Sequence, residues 1–107
     1  MQGKFRLSVK ARAEIKNIFR YSFQKFGESQ AKKYKTSFDE CFQLLADNPN
    51  MGIECHTIRN GYFRHKHESH VIFYTLRSND IFITTIIHSR MDIKSVFGIN
   101  DNNEPLT

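Results

Sequence analysis

Apolar and polar residues alternate over KFRLS at 4–8, which predicts a short first strand with Phe5 and Leu7 on one face. The period then lengthens. Ser8 is placed to cap a helix, because its side-chain oxygen can satisfy a free N–H of the first turn. Ile15, Ile18, Phe19, Ser22 and Phe26 follow at spacings of three and four, a single stripe that ends at Gly27. A second stripe, Ala31, Tyr34, Phe38, Cys41 or Phe42, and Leu45, predicts a helix from Glu28 or Ser29 to Asp47. Asn48-Pro49 stops it, since proline cannot donate the next helical hydrogen bond. A one-residue break at Gly27 lets the two helices fold back as a hairpin with facing stripes buried.

Residues 50–60 read as a loop, punctuated by Gly52 and Gly61. Three strand-like runs follow at 62–68, 70–77 and 80–88, rich in Ile, Val, Thr, Phe and Tyr. The turns between them, Glu68-Ser69 and Ser78-Asn79-Asp80, are short enough to require antiparallel neighbours. The last run is apolar on both alternations (Ile81, Ile83, Ile87 and Phe82, Ile86), the mark of a strand covered on both faces. Residues 92–99 allow one short helical turn. The order β-α-α-β-β-β, with helices segregated from most strands, is α+β.

At 107 residues the chain supports one core, so a single domain is expected over 1–97, with 98–107 a flexible tail. Sixteen Lys and Arg against eleven Asp and Glu give a net charge of +5, unevenly spread. Residues 1–37 carry ten cations against only Glu14 and Glu28. Such a region is either a solvated helical face or a docking surface for an acidic partner. No apolar run approaches the ~20 residues of a membrane span. The first dozen residues hold four cations and no hydrophobic stretch, so no secretory leader is expected. With two cysteines, Cys41 and Cys55, reduced thiols and a cytoplasmic location are expected.

His65, His67 and His70 form H-x-H-x-x-H, but no carboxylate or thiol completes a tetrahedral set, and neither a metal nor a cofactor is expected. Phosphodiester cleavage needs an acid, a base and cations for the charge on phosphorus. Arg64, Lys66 and Arg77 are candidate cations, and His65, His67 and His88 have the right intrinsic range for proton transfer. Cys55-His56 lacks the setting of a nucleophile.

Six short motifs then stand in register: Ile15-x-x-Ile18-Phe19-x-Tyr21, Phe26-Gly27-Glu28-x-Gln30-Ala31-x-x-Tyr34, Leu44-Leu45-Ala46-Asp47-Asn48-Pro49-x-x-Gly52, Ile58-Arg59-x-Gly61-Tyr62, His70-Val71-Ile72-Phe73-Tyr74 and Ile87-His88-x-Arg90-Met91-Asp92. Together they resemble the ParE toxins of the RelE/ParE toxin–antitoxin superfamily over residues 5 to about 97. The resemblance implies a RelE/ParE-like fold, a helical hairpin packed on a small, mainly antiparallel sheet. It also implies a toxin that poisons DNA gyrase, blocks replication and is neutralised by a ParD-like antitoxin, a protein inhibitor rather than an enzyme.

Under that reading Arg64, Arg77, His88, Arg90 and Met91 are the target-binding candidates. Arg12, Lys16, Arg20, Lys32, Lys33 and Lys35 are the antitoxin-binding candidates. Phe19 and Phe26 read as core staples and Asp92 as an anchor for the C-terminal turn. Direct nucleic-acid binding and membrane binding are not expected. The alternative is RelE-like, ribosome-dependent mRNA cleavage by Arg64, His65, His67, Arg77 and His88. Two departures stand out: Arg64 follows Phe63 where many members read Gly-Tyr-Arg, and Glu68 stands where a turn glycine is common.

Overall fold

The computed structural model describes residues 3–55, 58–91 and 93–98. Asp92 and residues 99–107, with the anchor and most of the tail expected there, lie outside them. The elements run β1 (Phe5–Leu7), α1 (Val9–Phe26), α2 (Glu28–Asp47), a single 3-10 turn (Pro49–Met51), β2 (Ile53–Glu54), β3 (Tyr62–His67), β4 (His70–Leu76), β5 (Ile81–His88) and α3 (Ile93–Val96). The strands form one sheet in the order β1-β5-β4-β3-β2. Only β1 is parallel to its neighbour, aligning Phe5 with Ile81 and Leu7 with Ile83. Both helices lie on one face of this sheet, the arrangement that the order of elements and the family resemblance imply.

Ser8 caps α1 as its sequence position predicts, accepting the Ala11 N–H at 2.9 Å. Gly27 closes α1 and opens α2 at φ 90°, a conformation that L side chains rarely adopt. The main core lies between the helices and the sheet. Phe38, Phe42 and Leu45 of α2 are fully buried there against Ile72 and Tyr74 of β4 and Ile81 and Ile83 of β5. Each such side chain contributes roughly 1.5–3 kcal/mol of apolar burial. A smaller cluster covers the opposite face, where Phe73, Ile87 and Cys55 are packed by Tyr62, Val71 and residues of α3. Covered on both faces, β5 matches its doubly apolar sequence.

A bulge divides β5. Phe73 aligns with Thr85 but Tyr74 aligns with Ile83, leaving Thr84 extra. Before it Ile81 and Ile83 face the helices; after it Ile86 does, while Ile87 belongs to the other face. Two residues from the start of the chain hold this irregularity. The Ser8 hydroxyl donates to the Thr84 carbonyl at 2.8 Å. Glu14 of α1 accepts the Ile86 N–H at 3.0 Å, and the Thr85 hydroxyl lies 3.0 Å from both of its carboxylate oxygens. One of the two acids in the basic first third is therefore occupied inside the fold.

Three features depart from the sequence reading. Ile53 and Glu54, inside the expected loop, pair with Arg64 and Phe63 as a strand too short to show a period. Phe26 is not a core staple: it is 60% exposed, whereas Phe19 is half-buried. Glu68 adopts φ 54° in the two-residue turn between β3 and β4, a left-handed position taken without glycine. The loop before β3 is tied to the sheet through Tyr74, whose hydroxyl donates to the Pro49 carbonyl at 2.8 Å and accepts the Gly52 N–H at 2.9 Å. A Cβ on Gly52 would come within 2.2 Å of that hydroxyl oxygen.

Glu14→Ala is expected to lower unfolding stability by about 2–3 kcal/mol, because the bulge amide and hydroxyl lose an ionised acceptor. Glu14→Gln, which keeps one acceptor, should lose less. Urea denaturation of the two variants checks this; equal stability of Glu14→Ala and the wild type would refute it.

Candidate functional site

A groove of about 670 Å³ lies between α1 and the adjoining ends of β4 and β5. Its helical wall is Asn17, Ile18, Tyr21, Ser22, Lys25 and Phe26 of α1, with Gln30 and Tyr34 of α2. Glu68, Ser69, His70, His88 and Arg90 complete it on the sheet side. Tyr21 and Phe26 leave 59% and 60% of their surface exposed, which makes this the most aromatic open surface of the helices. Lys25 lies 5.5 Å from the centre of both rings, so a cation borders the apolar wall.

Strand pairing sets the floor. His67 aligns with His70, and His70 with His88, so three imidazoles stand in a row across β3, β4 and β5. The row faces the helices. His70 Nδ1 is hydrogen-bonded to the Tyr34 hydroxyl at 2.8 Å, and His67 Nε2 to the Ser37 hydroxyl at 3.0 Å. The Phe38 ring lies 4.7 Å from His67 and 5.7 Å from His70. His70 and His88 meet edge to face at 5.3 Å. His88 Nδ1 accepts the Arg90 N–H at 3.1 Å, which fixes the backbone just beyond β5. The bulge makes this corner: an unbroken alternation from Ile81 would turn residue 88 to the other face.

Burial lowers His65, His67 and His70 from the usual imidazole range. At His70 the neighbouring His88 and His67 lower it further. At His67 the Glu68 carboxylate opposes burial while His65 adds to it. The Tyr34 hydroxyl is raised, first by burial and then by Glu68.

The side chains singled out from the sequence occupy several separate places. His65, His67 and His88 share the helix-facing side of the sheet. Arg64 aligns with Phe73 and so faces the other side, near Cys55. Arg77 lies past the opposite end of β4 from His70, about 20 Å away by strand rise. There its guanidinium forms a bidentate pair with Asp80 at 2.6 and 2.7 Å and lies over the Phe82 ring at 4.5 Å. That pairing raises Arg77 and lowers Asp80 from their ordinary values. The five residues named for RNA cleavage thus do not converge on one point. Arg90 and Met91 are exposed in the turn after β5.

Arg12, Lys16 and Arg20 form an exposed stripe along α1 at spacings of four. On α2, Lys32 pairs with Glu28 at 2.8 Å and Lys35 with Asp39 at 3.2 Å, and Lys33 is exposed beside them. Both cysteines are buried free thiols, raised by burial. Among the described residues no cluster of three or more His, Cys, Asp or Glu could hold a metal, and no helix is long and apolar enough to cross a membrane. Sequence reasoning missed Tyr21, Lys25, Phe26, Tyr34 and His70 as one surface. A signal was present for two of them: Tyr21 lies off the α1 stripe, and Phe26 falls in the helix's last turn.

Residues 5–93 match the family model described as the ParE toxin of type II toxin–antitoxin system, parDE. The chain is 32% identical over 94 residues to Toxin ParE1 of Caulobacter vibrioides, covering 88% of this chain and 97% of that protein. It is 30% identical over 94 residues to Toxin ParE1 of Mycobacterium tuberculosis, covering 87% and 96%. Its fold is similar to a solved structure titled as a chromosomal ParDE toxin–antitoxin system from P. aeruginosa. There the TM-score is 0.70 at 18% identity, with 81% of this chain and 96% of the other covered.

Because His67 and His70 are hydrogen-bonded to α2 and partly buried against it, folding opposes their protonation. Proton uptake by the unfolded chain then exceeds uptake by the native one as pH falls through the ordinary histidine range of about 6.5. Stability is therefore full above that range and declines below it. Melting temperature should fall between pH 7.5 and 5.5, and His67→Asn should flatten the decline; a flat wild-type profile would contradict the assignment.

Proposed function

This chain belongs to the ParE toxin family of type II toxin–antitoxin systems, and on that premise we propose that it poisons DNA gyrase in the cytoplasm and is silenced by a ParD-like antitoxin. The observation that carries the reading is the open groove beside α1. Its exposed Tyr21 and Phe26 and bordering Lys25 and Arg90 suit a protein segment bearing apolar anchors and acidic residues. Action as a protein inhibitor, rather than as a nuclease, accords with the dispersal of Arg64, His65, His67, Arg77 and His88 over two faces and two ends of the sheet.

Antitoxin and target surfaces are distinct in this reading except at Arg90, which borders the groove and where the two meet. The exposed stripe Arg12, Lys16 and Arg20 runs along α1 and favours an acidic antitoxin. The α2 lysines add to it less, since Lys32 and Lys35 already face acids one turn away. Exposed Arg90 and Met91, held beyond β5 by the bond to His88, are assigned to the target together with Arg64 on the far face.

Purified toxin added to a plasmid supercoiling reaction should block gyrase or accumulate cleaved plasmid, and prior addition of antitoxin should prevent this. Arg90→Glu should raise the toxin concentration needed by roughly tenfold, the scale of an interfacial charge reversal. Undiminished supercoiling at saturating toxin would overturn the gyrase assignment.

A further inference from the structure

The groove has a polar corner that apolar anchoring leaves unexplained. His70 and His88 stand 5.3 Å apart at its floor, Arg90 follows on the next turn, and Lys25 borders the opposite wall. Among the described residues Glu68 is the one acidic side chain lining the same groove. The other described groups facing the imidazole pair are neutral or can become cationic: Tyr34 from α2, Tyr21 and Lys25 from α1, His67 from β3, and Arg90 beyond β5.

We propose that the His70–His88 corner is a seat for a carboxylate of the antitoxin segment, and that seating it takes up a proton onto the imidazole pair. This inference rests on the antitoxin reading and adds a linkage to it.

The physical argument is one of unlike stability in two states. In the free protein a proton on His70 is opposed by burial and by the neighbouring His88 and His67. A proton placed on His88 Nδ1 would displace the Arg90 N–H that this atom accepts. An incoming Asp or Glu side chain reverses the balance: one negative charge meets one imidazolium and the Arg90 guanidinium, in a groove from which the partner expels water. A ring with an intrinsic range near neutrality then changes charge on binding. By linkage the partner binds more tightly as pH falls, opposite in sign to the acid sensitivity of the free fold. Glu68 weakens the seat without cancelling it, since it acts on Tyr34 and His67.

The test uses the intact toxin and its ParD-like antitoxin. Titration calorimetry at pH 6.8 in phosphate and in imidazole, buffers of different ionisation heat, reads protons taken up per complex. Net uptake is expected, with affinity rising roughly three- to tenfold between pH 7.5 and 6.0. His70→Asn with His88→Asn should still bind, but with uptake abolished; Asn at 88 can accept the Arg90 N–H. Should that variant fail to fold, histidine resonances of the wild type decide the matter. The protonation midpoints of His70 and His88 must rise on forming the complex.

Binding without uptake, or uptake unchanged in the double variant, overturns the seat while leaving the antitoxin reading intact. Concentration-dependent self-association of the free toxin, with no proton uptake on mixing, gives the groove to a second copy and overturns it too. Absence of any complex at either pH removes this inference together with the reading beneath it.

Discussion

Everything on the helix side of the sheet is referenced to the grip that α1 keeps on the bulge of β5. Glu14 and Ser8 satisfy backbone groups that an irregular strand leaves unpaired, and the helix thereby acquires a fixed height and rotation over the sheet. Apolar packing of α1 is lighter than that of α2: its buried residues are Ala11 and Ser22, and Ile15 and Ile18 pack on the core only partly buried. The second helix is held quite differently, by six buried residues. Apolar packing therefore carries α2, while polar bonds set the position of α1.

The site follows from that division of labour. The far half of α1 turns Ser22 inward and leaves Tyr21 and Phe26 exposed on the wall of the groove. The same bulge turns His88 toward the groove. Scaffold and site are thus consequences of one extra residue, Thr84, rather than separate inventions laid side by side.

Much of the fold was legible in the residues. The two helices, the Ser8 cap, the Gly27 joint and the three long strands follow from period and punctuation, because each rests on local chemistry. The parallel seating of β1, the two-residue β2 and the bulge did not, because each depends on a partner far along the chain. Alternation suggested that Ile81, Ile83 and Ile87 share a face; the extra residue moves Ile87 to the other side and Ile86 into its place. For the same reason His88 and His70 were each visible, one as a candidate and one within the H-x-H-x-x-H pattern, but their adjacency across β4 and β5 was not. The basic first third was counted correctly as charge, yet Glu14 within it serves the interior. Phe26 misled because a period of three and four continues to the end of a helix whether or not the core does.

The grip on β5 spans nearly the whole molecule: Ser8 reaches Thr84 across 76 positions of sequence, and Glu14 reaches Ile86 across 72. Contacts this remote require closure of almost the entire chain before they yield any stability. During synthesis the α-hairpin emerges early and finds no sheet to settle on, for its seat is made by one of the last segments to appear. A growing chain accordingly possesses no partial form with the groove in place. The groove forms in a single step, only once β5 has followed the hairpin and both of its walls exist.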